Sequence, residues 1–250
     1  MAQVTLQDEL KRSWAITRKD VKIYYLRPPA LMFGILFPIS LFFTFTVGRN
    51  IPHDRLIPLL TTQTLFWASS SIGPVAISME RRLRTFERFL SAPLSLLSVL
   101  WGKMMAGVLF GLGITCLAII FSVFALGLPY INLPVLFTGL LLSAIAYSSI
   151  GILFASIPTG SPGQVIVPLN FFRIPLMFVS GMFIPVESLP EIGRSIALFS
   201  PLTHTFDLMK LATGGISYFG LSTNILVLVL WIILFLYIGQ LFHKLIMKRE

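Results

Sequence analysis

Acidic residues are scarce in this 250-residue chain, 10 against 19 lysines and arginines, and charge of either sign makes up only 12% of it. An ordinary water-soluble domain carries about 25% charge, so that class is excluded first. No Asp, Glu, Lys or Arg falls within residues 28–48, 56–79 or 104–172. The single cysteine, Cys116, excludes an intrachain disulfide. The chain has no G-x-x-x-x-G-K-[ST] loop to cradle phosphates and no G-x-S-x-G elbow, and its spans hold no pair of carboxylates. Its three histidines, His53, His204 and His243, stand in different segments with no H-E-x-x-H pair. Hydrolytic chemistry and a metal site therefore have no candidate constellation, and the chain is expected to be a non-enzyme without a cofactor of its own. An internal repeat is also missing, which weighs against a transporter built from duplicated halves.

What is present is apolar. Hydrophobic residues make up 56% of the chain, 22 of them Phe, and the mean hydropathy is +0.87. A helix crosses a bilayer core with roughly 20 apolar residues, and each charge-free stretch reaches that length. The longest, 104–172, holds more than one helix, with turn formers Gly127, Pro129, Asn132 and Pro134 dividing it and a Pro-Thr-Gly-Ser-Pro-Gly run at 158–163 dividing it again. The expected fold is an all-α integral membrane domain over 1–250. Its six transmembrane helices are placed at 30–48, 56–79, 98–126, 133–157, 165–182 and 221–241. Residues 1–27 carry six basic and three acidic side chains and no short apolar core, which is not the pattern of a cleaved signal peptide.

Charge placement orients the spans, because Lys and Arg near span ends favour the cytoplasmic side. Most of the 19 basic residues cluster before the first span, between the second and third (Arg81, Arg82, Arg84, Arg88, Lys103), and in the tail (Lys244, Lys248, Arg249). Both termini are therefore expected in the cytoplasm of a multi-pass cell-membrane protein. Anionic headgroups account for the basic balance, and no nucleic-acid partner is expected.

Three segments are not spans. In 5–26, Leu6, Leu10, Trp14, Thr17, Val21 and Tyr24 recur at helical spacing opposite Lys11, Arg12, Arg18, Lys19 and Lys22. This is the pattern of a helix lying in the headgroup region, or of one docked on a partner. Residues 80–90 suggest a charged helix with Leu83, Phe86 and Phe89 or Leu90 as a stripe, ended by Ser91-Ala-Pro93; it suits either a partner's groove or solvent. On the outer side, 183–215 signals two short helices, one starting near Ser188-Leu-Pro190 and one at Ser200-Pro201, with Gly214-Gly215 as a stop. Both are too short to span, and they are expected to dip into or lie on the outer leaflet.

Within the spans, Arg173 is the outlier, because a mid-span charge costs about 2.5 to 3.5 kcal/mol on insertion scales. It should face protein or water. With Asn170 one turn before it and Pro168 and Pro175 around it, it either lines a substrate path or binds carbonyls loosened by the prolines. Gln63, among Thr61, Thr62, Thr64 and Ser69–Ser71, makes the second span polar, and hydrogen bonds between helices or a place on the substrate path would account for it.

The run Phe178-Val-Ser-Gly-Met-Phe-Ile-Pro185, followed by Ser188-Leu-Pro190 and Ser200-Pro-Leu-Thr-His204, resembles the hallmark before the last span of type-2 permeases of ATP-binding-cassette transporters. Glu80-Arg81, Thr85, Glu87, Leu90, Pro93 and Gly102-Lys103 resemble a second pattern of that family, with Arg84 where the family often has Gly. The resemblance covers essentially the whole chain. It implies a permease dimer, formed with a second copy or a related permease, in which each half is energised by a separate ATP-binding subunit that uses ATP and Mg. It also implies an elbow helix at 5–26, a coupling region at 80–93 and re-entrant helices within 183–215. The residues carried onto the ATPase interface are Glu80, Arg81, Thr85, Phe86, Glu87, Arg88 and Phe89; the candidates for the substrate path, Arg173, Asn170 and Gln63, come from their polarity within the spans and not from the resemblance. The expected cargo is an amphiphile such as a drug, a lipid or a lipid-linked glycan. The alternatives are an ion- or proton-coupled secondary carrier, for which the spans lack relay carboxylates, and a non-catalytic membrane scaffold.

Overall fold

The computed structural model describes residues 6–25, 36, 39–40, 43–44, 47, 53–86, 95–127 and 131–247. The described residues form no strand. They comprise α1 (Leu6–Asp20) continuing into a π-helical turn (Val21–Tyr25), α2 (His53–Arg82), α3 (Leu96–Leu126), α4 (Leu133–Phe154) and α5 (Pro162–Val179). A 3-10 turn (Val186–Ser188), α6 (Glu191–Phe199), α7 (Pro201–Ala212) and α8 (Leu221–Met247) follow. The expected first span, 30–48, lies largely outside the described residues.

Among the described residues, α3, α4, α5 and α8 are the four helices long and apolar enough to cross a membrane. Helix α2 is 30 residues long and free of charge over 56–79, but its Thr and Ser hydroxyls and Gln63 lower its apolarity below that of the other four. The turn signals fall where the sequence puts them. Gly127, at φ 85°, closes α3; Asn132 caps α4, its Oδ1 accepting from Val135 N at 3.3 Å; α5 starts at Pro162.

Small residues let α2, α3 and α4 approach closely, the usual device for packing helices where lipid removes the hydrophobic drive. Pro74 has no N–H, so the helical acceptor Ser70 O is released. Helix α4 fills that place with Gly151, where a Cβ would lie 2.6 Å from Ser70 O. On α3, a Cβ at Gly107 would lie 2.9 Å from Ser69 O, and Ser148 of α4 donates from Oγ to Met104 O at 2.7 Å. Around this seam lies an apolar core of Leu65, Phe66, Val108, Tyr147, Ile150 and Leu202, with Phe66 edge-on to Tyr147 at 4.8 Å.

Helix α1 presents Ser13, Ile16, Thr17 and Asp20, an i, i+3, i+4, i+7 face, to the protein and leaves Leu10 and Trp14 exposed. It is seated on the first turns of α3: Ser13 Oγ donates to Ser98 O (2.8 Å) and Thr17 Oγ1 to Gly102 O (2.8 Å). Gly102 permits this, because a Cβ there would stand 2.6 Å from Ser13 O. The stripe expected from the sequence thus divides. Thr17 packs inward, and Leu10 and Trp14 are left for an apolar environment.

The two short helices differ in setting. Helix α6 exposes Ile192, Ile196 and Phe199 and buries Ala197. Helix α7 is buried from Pro201 to Met209 and wedged against α4, where Ser143 and Thr205 share a hydroxyl hydrogen bond of 2.7 Å. Ser200 occupies the cap position of α7, as expected, but its side chain makes no capping bond.

Candidate functional site

Four charged side chains meet where α1, α2 and α3 converge. Lys103, wholly buried, stands 3.1 Å from Asp20 Oδ2 and 2.5 Å from Glu80 Oε2. Lys19 is 2.8 Å from Asp20 Oδ1 and also pairs with Glu80 Oε1. Two cations and two anions make the cluster neutral, which is the condition for burying charge at tolerable cost. Burial alone would lower the Lys19 pKa, but Asp20 and Glu80 outweigh it and raise the ammonium above its ordinary value. Glu80, 1% exposed, therefore ties the end of α2 to both neighbours rather than pointing outward.

Beyond Glu80 the helix breaks. Leu83 N still donates to Met79 O (3.0 Å), but Arg84 N turns to Arg81 O (3.0 Å) and Arg84 takes φ 54°. That left-handed conformation is strained for a residue with a Cβ and suits glycine. The continuous helix expected over 80–90 is interrupted there, and its apolar stripe is split: Leu83 is 63% exposed, whereas Phe86 is 3% exposed. Phe86 packs inward with Ile16, Ile77, Val99 and Ile152. Arg81 holds the segment from the other side, donating from Nη1 to Ala155 O at 3.1 Å and lying over the Phe86 ring at 5.3 Å. Thr85, half-buried, donates from Oγ1 to Glu80 O at 3.2 Å. Glu87, Arg88 and Phe89 lie outside the described residues.

The second group centres on Arg173, 1% exposed on α5. Its guanidinium stands 5.1 Å from the Trp67 ring and 6.0 Å from that of Phe66, both on α2, and Nη1 donates to Asn170 Oδ1 at 3.3 Å. Among the described residues, Nε and Nη2 have no hydrogen-bond partner. The sequence-chosen Arg173 and Asn170 are thus joined. Gln63 sits on α2 one turn before the two rings, buried, with Oε1 unpartnered beside the similarly unpartnered hydroxyls of Thr62 and Thr64. On the outer side of α5, Val167, Asn170, Phe171, Ile174 and Pro175 line an open groove of about 340 Å³.

A third network joins α6, α7 and α8. Asp207 accepts from Ser217 Oγ (2.5 Å), Tyr218 N (2.8 Å), Phe219 N (3.1 Å) and Asn224 Nδ2 (2.9 Å). Burial pushes its carboxyl up, but these four donors outweigh it and hold the pKa below the ordinary carboxylate value. His204 Nε2 donates to Leu198 O (2.8 Å), and its Nδ1 lies 2.7 Å from Asn224 Oδ1. The Ser180-Gly181 pair before this region ends α5, with Gly181 at φ 81° and Ser180 Oγ donating to Met177 O at 2.7 Å.

Sequence reasoning missed Asp20 and treated Lys103 as a loop charge. The usable signal was Lys103 itself, a cation inside an expected span whose counter-charge had to lie near the same membrane face. Among the described residues, no group of three or more His, Cys, Asp or Glu is placed to hold a metal.

Comparison with known proteins adds a family. The family model described as ABC-2 type transporter matches residues 11–213. The inner membrane transport permease YhhJ of Escherichia coli (strain K12) is 30% identical over 137 residues, 54% of this chain and 36% of that protein. The probable multidrug ABC transporter permease YbhS of the same strain is 24% identical over 188 residues, 74% of this chain and 50% of that protein. The matches span about a third to a half of the length of these relatives.

Proposed function

The chain belongs to the ABC-2 type transporter family of multi-pass membrane proteins, and from that premise we propose that it is the permease subunit of an ATP-driven exporter of amphiphilic substrates. A separate subunit binds ATP and Mg and hydrolyses the nucleotide. Two permease halves form the path, each with six spans, both termini in the cytoplasm, and the α6–α7 region on the outer side. The basic residues flanking the spans support this orientation.

The observation that carries the reading is the ion cluster of Lys19, Asp20, Glu80 and Lys103. It fastens the segment after α2 to the interfacial helix and to the next long helix, so that a push on that segment moves all three. In this scheme Glu80, Arg81 and Phe86 hold the segment from within, Thr85 closes its turn, and the exposed Leu83 and Arg84 meet the ATPase together with Glu87, Arg88 and Phe89. Arg173, Asn170 and Gln63 belong to the substrate path.

Affinity purification of the tagged chain from solubilised native membranes tests the function. The expected result is a stoichiometric subunit with a G-x-x-x-x-G-K-[ST] loop whose ATP hydrolysis changes when the permease is removed. Transport by the chain reconstituted alone, driven by an ion gradient, would replace this reading with the carrier.

A further inference from the structure

Arg173 is a buried cation with no ion pair among the described residues. No acidic residue lies between Asp20 and Asp54, between Asp54 and Glu80, or between Glu87 and Glu187, so none of the intervening membrane stretches contains a carboxylate. Asp20 and Glu80 are committed to Lys19 and Lys103, and Asp207 to its four donors. Asp54 stands three turns of α2 before the rings that Arg173 faces, about 18 Å along the helix axis. Yet the guanidinium remains protonated under any ordinary condition, and a lone buried charge is costly.

The unpartnered atoms are specific. Nη1 is used by Asn170, while Nε and Nη2, which lie on the same edge of the planar guanidinium, have no partner. That edge is the two-pronged fork that takes a carboxylate or phosphate with two parallel N–H···O bonds. Asn170, which fixes the other edge, also lines the apolar groove of Val167, Phe171, Ile174 and Pro175.

We propose that the Nε–Nη2 edge of Arg173 binds the oxyanion head, carboxylate or phosphate, of an amphiphilic substrate whose apolar body occupies the groove along α5. The rings of Phe66 and Trp67 cover the guanidinium in this conformation, so the head group enters when α2 and α5 separate. Asn170 is a positioning residue that turns the fork toward the anion. The inference deepens the permease reading and takes from it the notion of a substrate. Its test needs no ATPase, so failure of the pull-down and failure of the anion site remain distinguishable.

The test is ligand binding by the full chain in nanodiscs of phosphatidylcholine, corrected for empty discs. The probes are dodecyl phosphate, dodecanol, dodecyltrimethylammonium and inorganic phosphate. The wild type is expected to bind dodecyl phosphate roughly 10- to 100-fold more tightly than dodecanol, the span of a charge-assisted bidentate contact. Dodecyltrimethylammonium should bind no better than dodecanol, and inorganic phosphate far more weakly than dodecyl phosphate. Arg173→Gln should remove the preference, so that dodecyl phosphate binds no more tightly than dodecanol. Asn170→Asp places a counter-ion against the guanidinium, relieves the buried charge, and should also remove the preference. It decides the matter alone if Arg173→Gln does not insert. Undiminished dodecyl phosphate binding by Asn170→Asp, or equal binding of dodecanol by the wild type, would overturn the proposal. Inorganic phosphate binding as tightly as dodecyl phosphate would overturn it in favour of a free-anion site.

Discussion

Lys103, wholly buried in α3, stands 2.5 Å from Glu80 Oε2 near the end of α2. The pair joins the two ends of the connection between those helices, and both side chains are buried. Removing one partner of a buried pair costs about 3 to 5 kcal/mol, and loss of Lys103 leaves the buried carboxylates of Asp20 and Glu80 to share the single cation of Lys19. Lys103→Met should therefore lower the thermal midpoint of the solubilised chain steeply. Lys103→Met with Glu80→Gln should recover part of the loss, a coupling visible in a double-mutant cycle. Additive effects would mean that the two side chains do not interact.

The turn after α2 gives a second expectation. Arg84 sits at φ 54° with its side chain in solvent, so Arg84→Gly should raise stability by up to about 1 kcal/mol and Arg84→Val should lower it. Paired thermal unfolding of the two variants measures both signs. A loss on Arg84→Gly would show that the turn is not left-handed.

Packing of α4 on α2 predicts a contrast between glycines. Gly151→Ala puts a methyl 2.6 Å from the Ser70 carbonyl, whereas a Cβ at Gly113 meets nothing within 4 Å. Backbone cannot step aside as a flexible side chain does. Gly151→Ala is expected to cost about 1 to 3 kcal/mol, and Gly113→Ala to leave the midpoint unchanged or slightly raised.

Asp207 sets an acid-side dependence. Its carboxyl has a lower pKa folded than unfolded, so its contribution is fully present above the unfolded value near 3.8 and fades as pH falls through the folded one. Asp207→Asn should be less stable than wild type by about 1 to 3 kcal/mol at neutral pH. The gap should narrow as pH drops below about 4. A gap that is constant with pH would mean that the carboxylate charge is not what the four donors hold.

Much of this architecture was legible in the sequence because lipid imposes coarse rules. Long apolar, charge-poor stretches marked α3, α4, α5 and α8, and Gly127, Asn132 and Pro162 marked their ends to within a few residues. Arg173 stood out as the lone mid-span charge, and its neighbour Asn170 followed from helical spacing. The inward turn of Phe86 was not legible. Periodicity assumes an unbroken helix, and the left-handed Arg84 changes the phase between Leu83 and Phe86. The cluster around Lys103 was missed for a different reason: Lys19 bonds Glu80 across 61 positions and Lys103 bonds Asp20 across 83, and the four meet only after three helices pack.

The central claim is that the segment following Glu80 delivers ATP-driven motion to the membrane helices. The most direct measurement places a photo-crosslinking amino acid at Leu83, which is 63% exposed, and separately at Ile192, which is 78% exposed on α6, in cells carrying the native complex. The account predicts that Leu83 captures the ATP-hydrolysing subunit and Ile192 does not. Capture of that subunit from Ile192, or none from Leu83 in a complex that still transports, would contradict it.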